Sequence, residues 1–125
     1  MNLAIAVTKP LVIPIVEQRT VPLVFEVGDL VFNNLDKFVK RGGKRLPIGD
    51  LQYALLYALA RHAYRGMRQP LPKQTLLQEV YGATRPKSNS IDVRLWEVRR
   101  ALRAAGSVIL VQNIYGRGFK LVVPD

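Results

Sequence analysis

The sequence predicts an α+β fold: a small N-terminal antiparallel sheet, three helices and a C-terminal β-hairpin. Three observations predict it. Residues 23–48 hold short apolar runs separated by Gly-Asp, Asn-Asn and Gly-Gly, and three later stretches repeat apolar residues at helical spacing. After Gly106, a run of branched residues turns back through Gly116-Arg117-Gly118. With 125 residues, 49% of them apolar, the chain is about one domain with enough apolar surface for a core, which argues against global disorder.

Residues 1–22 are apolar, β-branched and punctuated by Pro10, Pro14 and Pro22, so any strand there is short or at an edge. This N-terminal extension reads equally as an edge strand, an arm or a flexible lead to a domain over 23–125. No basic stretch precedes its apolar residues, and no run is long enough to span a bilayer, so neither a signal peptide nor a membrane anchor is read. Val24–Val27 and Leu30–Phe32 flank a Gly28-Asp29 turn. Lys37–Lys40 alternates polar and apolar, and Gly42-Gly43 is a hairpin turn into Arg45–Ile48. Asp50 offers an N-cap for a helix running to about Tyr64, with Leu51, Leu55, Leu56 and Leu59 on its apolar side. A proline-bearing loop leads to a short helix over Lys73–Tyr81, with Leu76, Leu77, Val80 and Tyr81 inward and Gly82 as its stop.

The third helix, over residues 89–105, organises the rest. Ser88, Asn89 and Ser90 offer N-caps, Asp92 suits the positive end of the helix, and Gly106 follows the last turn. Ile91, Leu95, Val98 and Leu102 recur at steps of four, three and four and form one buried stripe. The opposite face carries Val93, Trp96, Glu97 and Arg100, flanked by Arg94 and Arg103. A short helix, a loop and a cationic outward-facing helix read as a helix-turn-helix, and the hairpin that follows reads as a wing.

Charge points the same way. The net charge is +10, with an excess of +2 in residues 1–50 and +8 in residues 51–125. Such an excess implies a polyanionic partner, nucleic acid before anionic membrane. There is no cysteine, which fits a reducing cytoplasm and excludes disulfides and thiolate chemistry. The sequence offers no Cys/His metal spacing, no phosphate-binding Gly-Lys loop and one isolated histidine, His62, so no enzyme, metal or cofactor is expected.

From Glu26 to Val123 the chain resembles the winged-helix DNA-binding effector domain of OmpR/PhoB-type response regulators. Gly28-Asp29-Leu30 and Gly43 to Ile48 resemble its N-terminal sheet, and Gln52-Tyr53-Ala54-Leu55-Leu56 resembles its first-helix motif. Leu76 to Gly82 is similar to its second helix. Ser90 to Leu95 with Arg99-Arg100-Ala101-Leu102 is similar to its recognition helix, and Val111 to Phe119 to its wing. The departures lie on the outer surface: Trp96 and Glu97 stand where basic residues are usual, and Tyr115 where an arginine is. Arg94 replaces a polar residue, and Arg117 falls one position beyond the usual wing arginine. The family's base preferences therefore do not carry over. With no room upstream for a phosphoacceptor receiver, the chain reads as a stand-alone regulator or as a domain cut from a longer one.

The resemblance implies sequence-specific binding of double-stranded DNA by a transcriptional regulator, with helix 89–105 in the major groove and turn 113–118 at the minor groove. The expected contact residues are Asn89, Ser90, Val93, Arg94, Trp96, Glu97, Arg99, Arg100, Arg103, Tyr115 and Arg117. Arg94 reads either as a bidentate guanine contact or as a phosphate clamp, and Val93 as a neighbour of a thymine methyl or a semi-buried helix residue. Glu97 reads as an acceptor from cytosine N4 or, in preference, as a partner that pairs with Arg94, Arg100 or Arg103 and orients it, and Arg99, Arg100 and Arg103 are expected to meet phosphates. Trp96 reads as stacking on a sugar or base, as an anchor for a protein, or as packed on a neighbouring loop. Further expected partners are a second copy, as a homodimer or in tandem on direct repeats, and RNA polymerase or another transcription protein. The competing reading is a winged helix that docks on protein and binds little or no DNA.

Overall fold

The computed structural model describes residues 20–82 and 90–124, with Ser90 in its backbone alone. A four-stranded antiparallel sheet comes first: β1 (Val24–Val27), β2 (Leu30–Asn33), β3 (Phe38–Arg41) and β4 (Lys44–Arg45), hydrogen-bonded in that order. Three helices follow, α1 (Asp50–Tyr64), α2 (Lys73–Tyr81) and α3 (Ser90–Ala104), and a hairpin of β5 (Leu110–Ile114) and β6 (Gly118–Val122) closes the chain. Of the predicted extension over 1–22, only Thr20 to Pro22 are among the described residues, and Val21 packs against the core.

The sheet follows from alternation. Phe25, Val27, Leu30, Phe32 and Val39 all point inward, and the Phe25 and Phe32 rings stack with centroids 5.2 Å apart. Gly42 and Gly43, with φ of 59° and 82°, make the two-residue turn whose twist matches antiparallel strands. The strand expected over Arg45–Ile48 is shorter, ending at Arg45. Pro47 has no N–H to donate, and Ile48 turns back onto the Leu46 carbonyl at 2.9 Å. The cap of α1 also differs from expectation. Gly49 is the N-cap and Asp50 the first helical residue, where its carboxylate suits the positive end of the helix.

The helices pack most of their predicted stripes; Leu51, expected on that of α1, lies half-exposed outside the core because it sits on the first turn. Leu55, Leu56 and Leu59 of α1, Leu76 and Leu77 of α2, and Ile91, Leu95, Val98 and Leu102 of α3 form one core with the sheet. Val80 and Tyr81 are half-buried at its edge. Arg61 pairs with Glu79 to join α1 to α2, and the His62 ring meets the Gln69 carbonyl at 2.7 Å, hooking the loop after α1.

The hairpin starts later and runs further than predicted. Val108 and Ile109 are not in the strand because their N–H groups are taken, by the Asp29 carboxylate at 3.0 Å and the Ser107 hydroxyl oxygen at 3.1 Å. At the far end the ladder continues through Asn113↔Phe119 and Ile114↔Gly118, so the turn itself is only Tyr115-Gly116-Arg117. Leu71 and Phe119 exchange two backbone hydrogen bonds, of 2.7 and 2.9 Å, which tie the hairpin to the segment leading into α2. Gly118 permits this approach. Its φ is 135°, and a Cβ there would run into the Leu71 carbonyl.

Asp29 is the second tie. Its carboxylate accepts from Ser107 Oγ at 2.7 Å, Val108 N and Arg41 Nε at 3.1 Å, joining the β1–β2 turn to the segment after α3. Burial alone would raise the acid's pKa, but the hydrogen bonds from Ser107, Val108 and Arg41 outweigh it and hold the carboxyl below its ordinary value of 3.8. A folded-state pKa below the unfolded one gives stability that is complete at neutral pH and is lost as pH falls through and below that value. Asp29→Asn is therefore expected to lower Tm at pH 7, and the gap from the parent should narrow as pH falls below about 4. A gap independent of pH would show that the charge at Asp29 contributes nothing.

Candidate nucleic-acid interface

Four fully buried residues (Ile91, Leu95, Val98 and Leu102) fasten α3 to the core, and the rest of the helix surface follows from that anchoring. Asp92, Val93, Trp96, Arg100 and Arg103 are exposed, while Arg94, Glu97 and Arg99 lie half-buried on the flanks. Val93 and Trp96 keep 52% and 53% of their surface open, three residues apart on one face of the helix. The Arg100 guanidinium lies 5.1 Å from the centre of the Trp96 ring, over an exposed face of the helix.

Glu97 takes the arrangement expected of it, with Arg94 as the partner. Arg94 Nη1 donates to Glu97 Oε1 at 3.0 Å, and Gln52 Nε2, from the first turn of α1, donates to the same oxygen at 2.7 Å. The hydrogen bond from Arg94, with that from Gln52 behind it, holds the Glu97 carboxyl below its ordinary range, so it stays ionised. Arg99, also expected at phosphates, donates Nε to the Val111 carbonyl at 3.0 Å and braces α3 against β5, a bond that does not use its Nη groups. Asn89 lies outside the described residues, and Ser90 is the first residue of α3.

The hairpin turn stands beside the helix. Tyr115 at its tip is 99% exposed, and Arg117 Nη2 donates to the Gln69 side chain at 3.1 Å. Between turn and helices lies an open cleft of about 400 Å³, lined among others by Lys73, Asp92, Tyr115 and Arg117. Lys73, at the start of α2, pairs with Asp92 at 3.3 Å across it. Among the described residues no group of three His, Cys, Asp or Glu could hold a metal, and no helix is long and apolar enough to cross a membrane.

The sequence reading does not single out Gln52, Lys73 or Gln69. Their partners are 45, 19 and 48 residues away, beyond the reach of any local pattern.

Comparison with known proteins decides the family. The model described as transcriptional regulatory protein, C terminal, matches residues 43–121. The chain belongs to this family. Its fold is the winged helix of OmpR/PhoB-type effector domains. It is 32% identical over 104 residues to the cell cycle response regulator CtrA of Brucella ovis, an alignment covering 82% of this chain and 43% of that regulator. The chain thus spans less than half of the curated relatives it matches. The crystal structure of the DNA-binding domain of CpxR from E. coli superposes with a TM-score of 0.67 at 28% identity, covering 82% of this chain and 98% of that one. The Klebsiella pneumoniae RstA DNA-binding domain, solved in complex with the RstA box, has the same fold, with a TM-score of 0.63 at 19% identity over 79% of this chain and 96% of that one. Within the effector-domain frame, α3 is the recognition helix and the β5–β6 hairpin the wing.

Proposed function

We propose that this effector domain, residues 23–125, is a transcriptional regulator's sequence-specific reader of double-stranded DNA, acting in the cytoplasm and without catalysis. Helix α3 enters the major groove and the turn over 113–118 lies at the adjacent minor groove. One observation carries the reading: the Ile91–Leu102 stripe is wholly buried, which leaves Val93, Trp96, Arg100 and Arg103 facing out. A helix of this length, about 22 Å, fits along a major groove. The RstA domain's complex with its box supports the same use of the fold. Arg94, Val93, Glu97 and Trp96 face base edges, Arg100 and Arg103 meet phosphates with Asn89, Ser90 and the helix N-terminus, and Tyr115 and Arg117 lie at the minor groove. Tandem copies on direct repeats and contact with RNA polymerase belong to this reading.

Selection of bound sites from a random duplex pool, followed by fluorescence anisotropy, tests it. A recovered sequence bound at least about 10³-fold more tightly than random DNA is expected. No enrichment at low salt would end the proposal. The half-exposed Trp96 with Arg100 stacked beside it favours a second reading, docking on a protein. If that were the role, Trp96→Ala would abolish capture of the partner, while Arg94→Ala with Arg117→Ala would leave it intact.

A further inference from the structure

Three cations of α3 hold different company. Arg100 lies over an indole, Arg99 donates its Nε to a backbone carbonyl, and Arg94 alone is bonded to a carboxylate that is itself held from another helix. An exposed i,i+3 ion pair left to itself is weak and samples many rotamers. Here the pair is not left to itself. The Gln52 amide pins Glu97 Oε1 at 2.7 Å, and a carboxylate can only accept, so it is the NH2 group of Gln52 that faces it. Gly49 makes the room: a Cβ there would sit 2.8 Å from Gln52 Oε1, and the N-cap glycine has none.

We propose that Gln52 is a specificity-determining positioning residue: through Glu97 it holds Arg94 in one conformation, its free guanidinium edge aimed at a guanine in the major groove. This rests on the DNA-binding reading above. The chemistry selects the base over the phosphate. An ionised Glu97 beside Arg94 repels a phosphate, whereas guanine O6 and N7 are neutral acceptors that a guanidinium meets with two parallel hydrogen bonds. Only one Nη1 hydrogen is taken by Glu97, so Nη2 and the remaining Nη1 hydrogen can still form that fork. Fixing the side chain before binding removes the rotamer freedom that would otherwise be lost on contact. Gln52 itself touches no DNA; it acts through Glu97.

Random-pool selection and competitive anisotropy on the full chain test this with Arg94→Ala, Gln52→Leu, Gly49→Ala and Gln52→Lys. The parent should select a guanine at one position by about 5- to 100-fold, and Arg94→Ala should erase that preference. Gln52→Leu should weaken it by about 3- to 10-fold. Gly49→Ala, which displaces the amide, should do the same at a small cost in Tm, since alanine caps a helix less well than glycine; preferences elsewhere in the site and the salt slope stay as they were in both, and Tm stays as it was in Gln52→Leu. Gln52→Lys keeps a donor towards Glu97 and should retain the guanine. A guanine lost in Arg94→Ala but unmoved in Gln52→Leu and Gly49→Ala would overturn the role of Gln52. So would a uniform loss at every position together with a lower Tm, the mark of a purely structural residue. DNA binding with no guanine dependent on Arg94 would overturn the inference and leave the proposed function standing. Failure of the parent to bind any duplex would instead overturn that function.

Discussion

Affinity for a selected duplex is expected to fall by about 10³-fold or more between about 50 and 200 mM KCl, which six or more phosphate contacts would produce. The surface supplies them: Arg100 and Arg103 on α3, Lys73 at the start of α2, Arg117 on the turn, with Arg68 and Lys120 on its flank. Each neutralised phosphate releases condensed counterions, so log affinity falls linearly with log salt. Arg100→Ala and Arg103→Ala should each reduce that slope by about one, with sequence preference intact, because phosphates carry no base identity. Anisotropy titrations at four salt concentrations measure it. A flat dependence would mean that the basic surface does not face the duplex.

Leu95→Ala is expected to destabilise the domain by about 2–5 kcal/mol, a large share of the about 5–15 kcal/mol that holds a domain of this kind folded. Leu95 is wholly buried and lies midway along the stripe that fastens α3. Removing its three outer carbons leaves a void that the rigid neighbours in the core fill only in part. Tm should drop by about 8 °C or more, at about 4–8 °C per kcal/mol. Trp96→Ala, one residue on and facing outward, should change Tm far less. Urea denaturation of both variants makes the comparison. Equal losses would show that the two faces of the helix are not distinct.

Periodicity carried most of what was legible in the chain. The α3 stripe and the α2 boundaries at Lys73 and Tyr81 could be read directly, because a helix repeats its buried side every three to four residues. The two sheet turns were equally plain from Gly28-Asp29 and Gly42-Gly43. The start of the hairpin was misplaced because Val108 and Ile109 are strand-like residues whose N–H groups are claimed elsewhere, one of them by an acid at the other end of the chain. The cap of α1 was misjudged because an aspartate is the stronger local signal, whereas the glycine before it answers to the Gln52 amide packed over it. At the candidate site, the direction of Arg100 and Arg103 followed from helical spacing alone. The choice of Arg94 among the possible partners of Glu97, and the part of Gln52 behind them, depended on where α1 crosses α3, which spacing along one helix cannot encode.

The clasp at Asp29 has a consequence for how the chain is made. Its hydroxyl and amide donors come 78 and 79 residues later, so nearly the whole domain must leave the ribosome before the first turn finds them. Until then the Asp29 carboxylate has only Arg41 of the early strands to pair with, although α1 can already pack on Phe25. Closing so wide a loop is entropically slow, and translation order places it late, shortly before the hairpin and its tie to Leu71. A nascent polypeptide stopped short of Ser107 thus carries its whole four-stranded sheet without the clasp or the hairpin that complete the core, and stays exposed to proteases and chaperones.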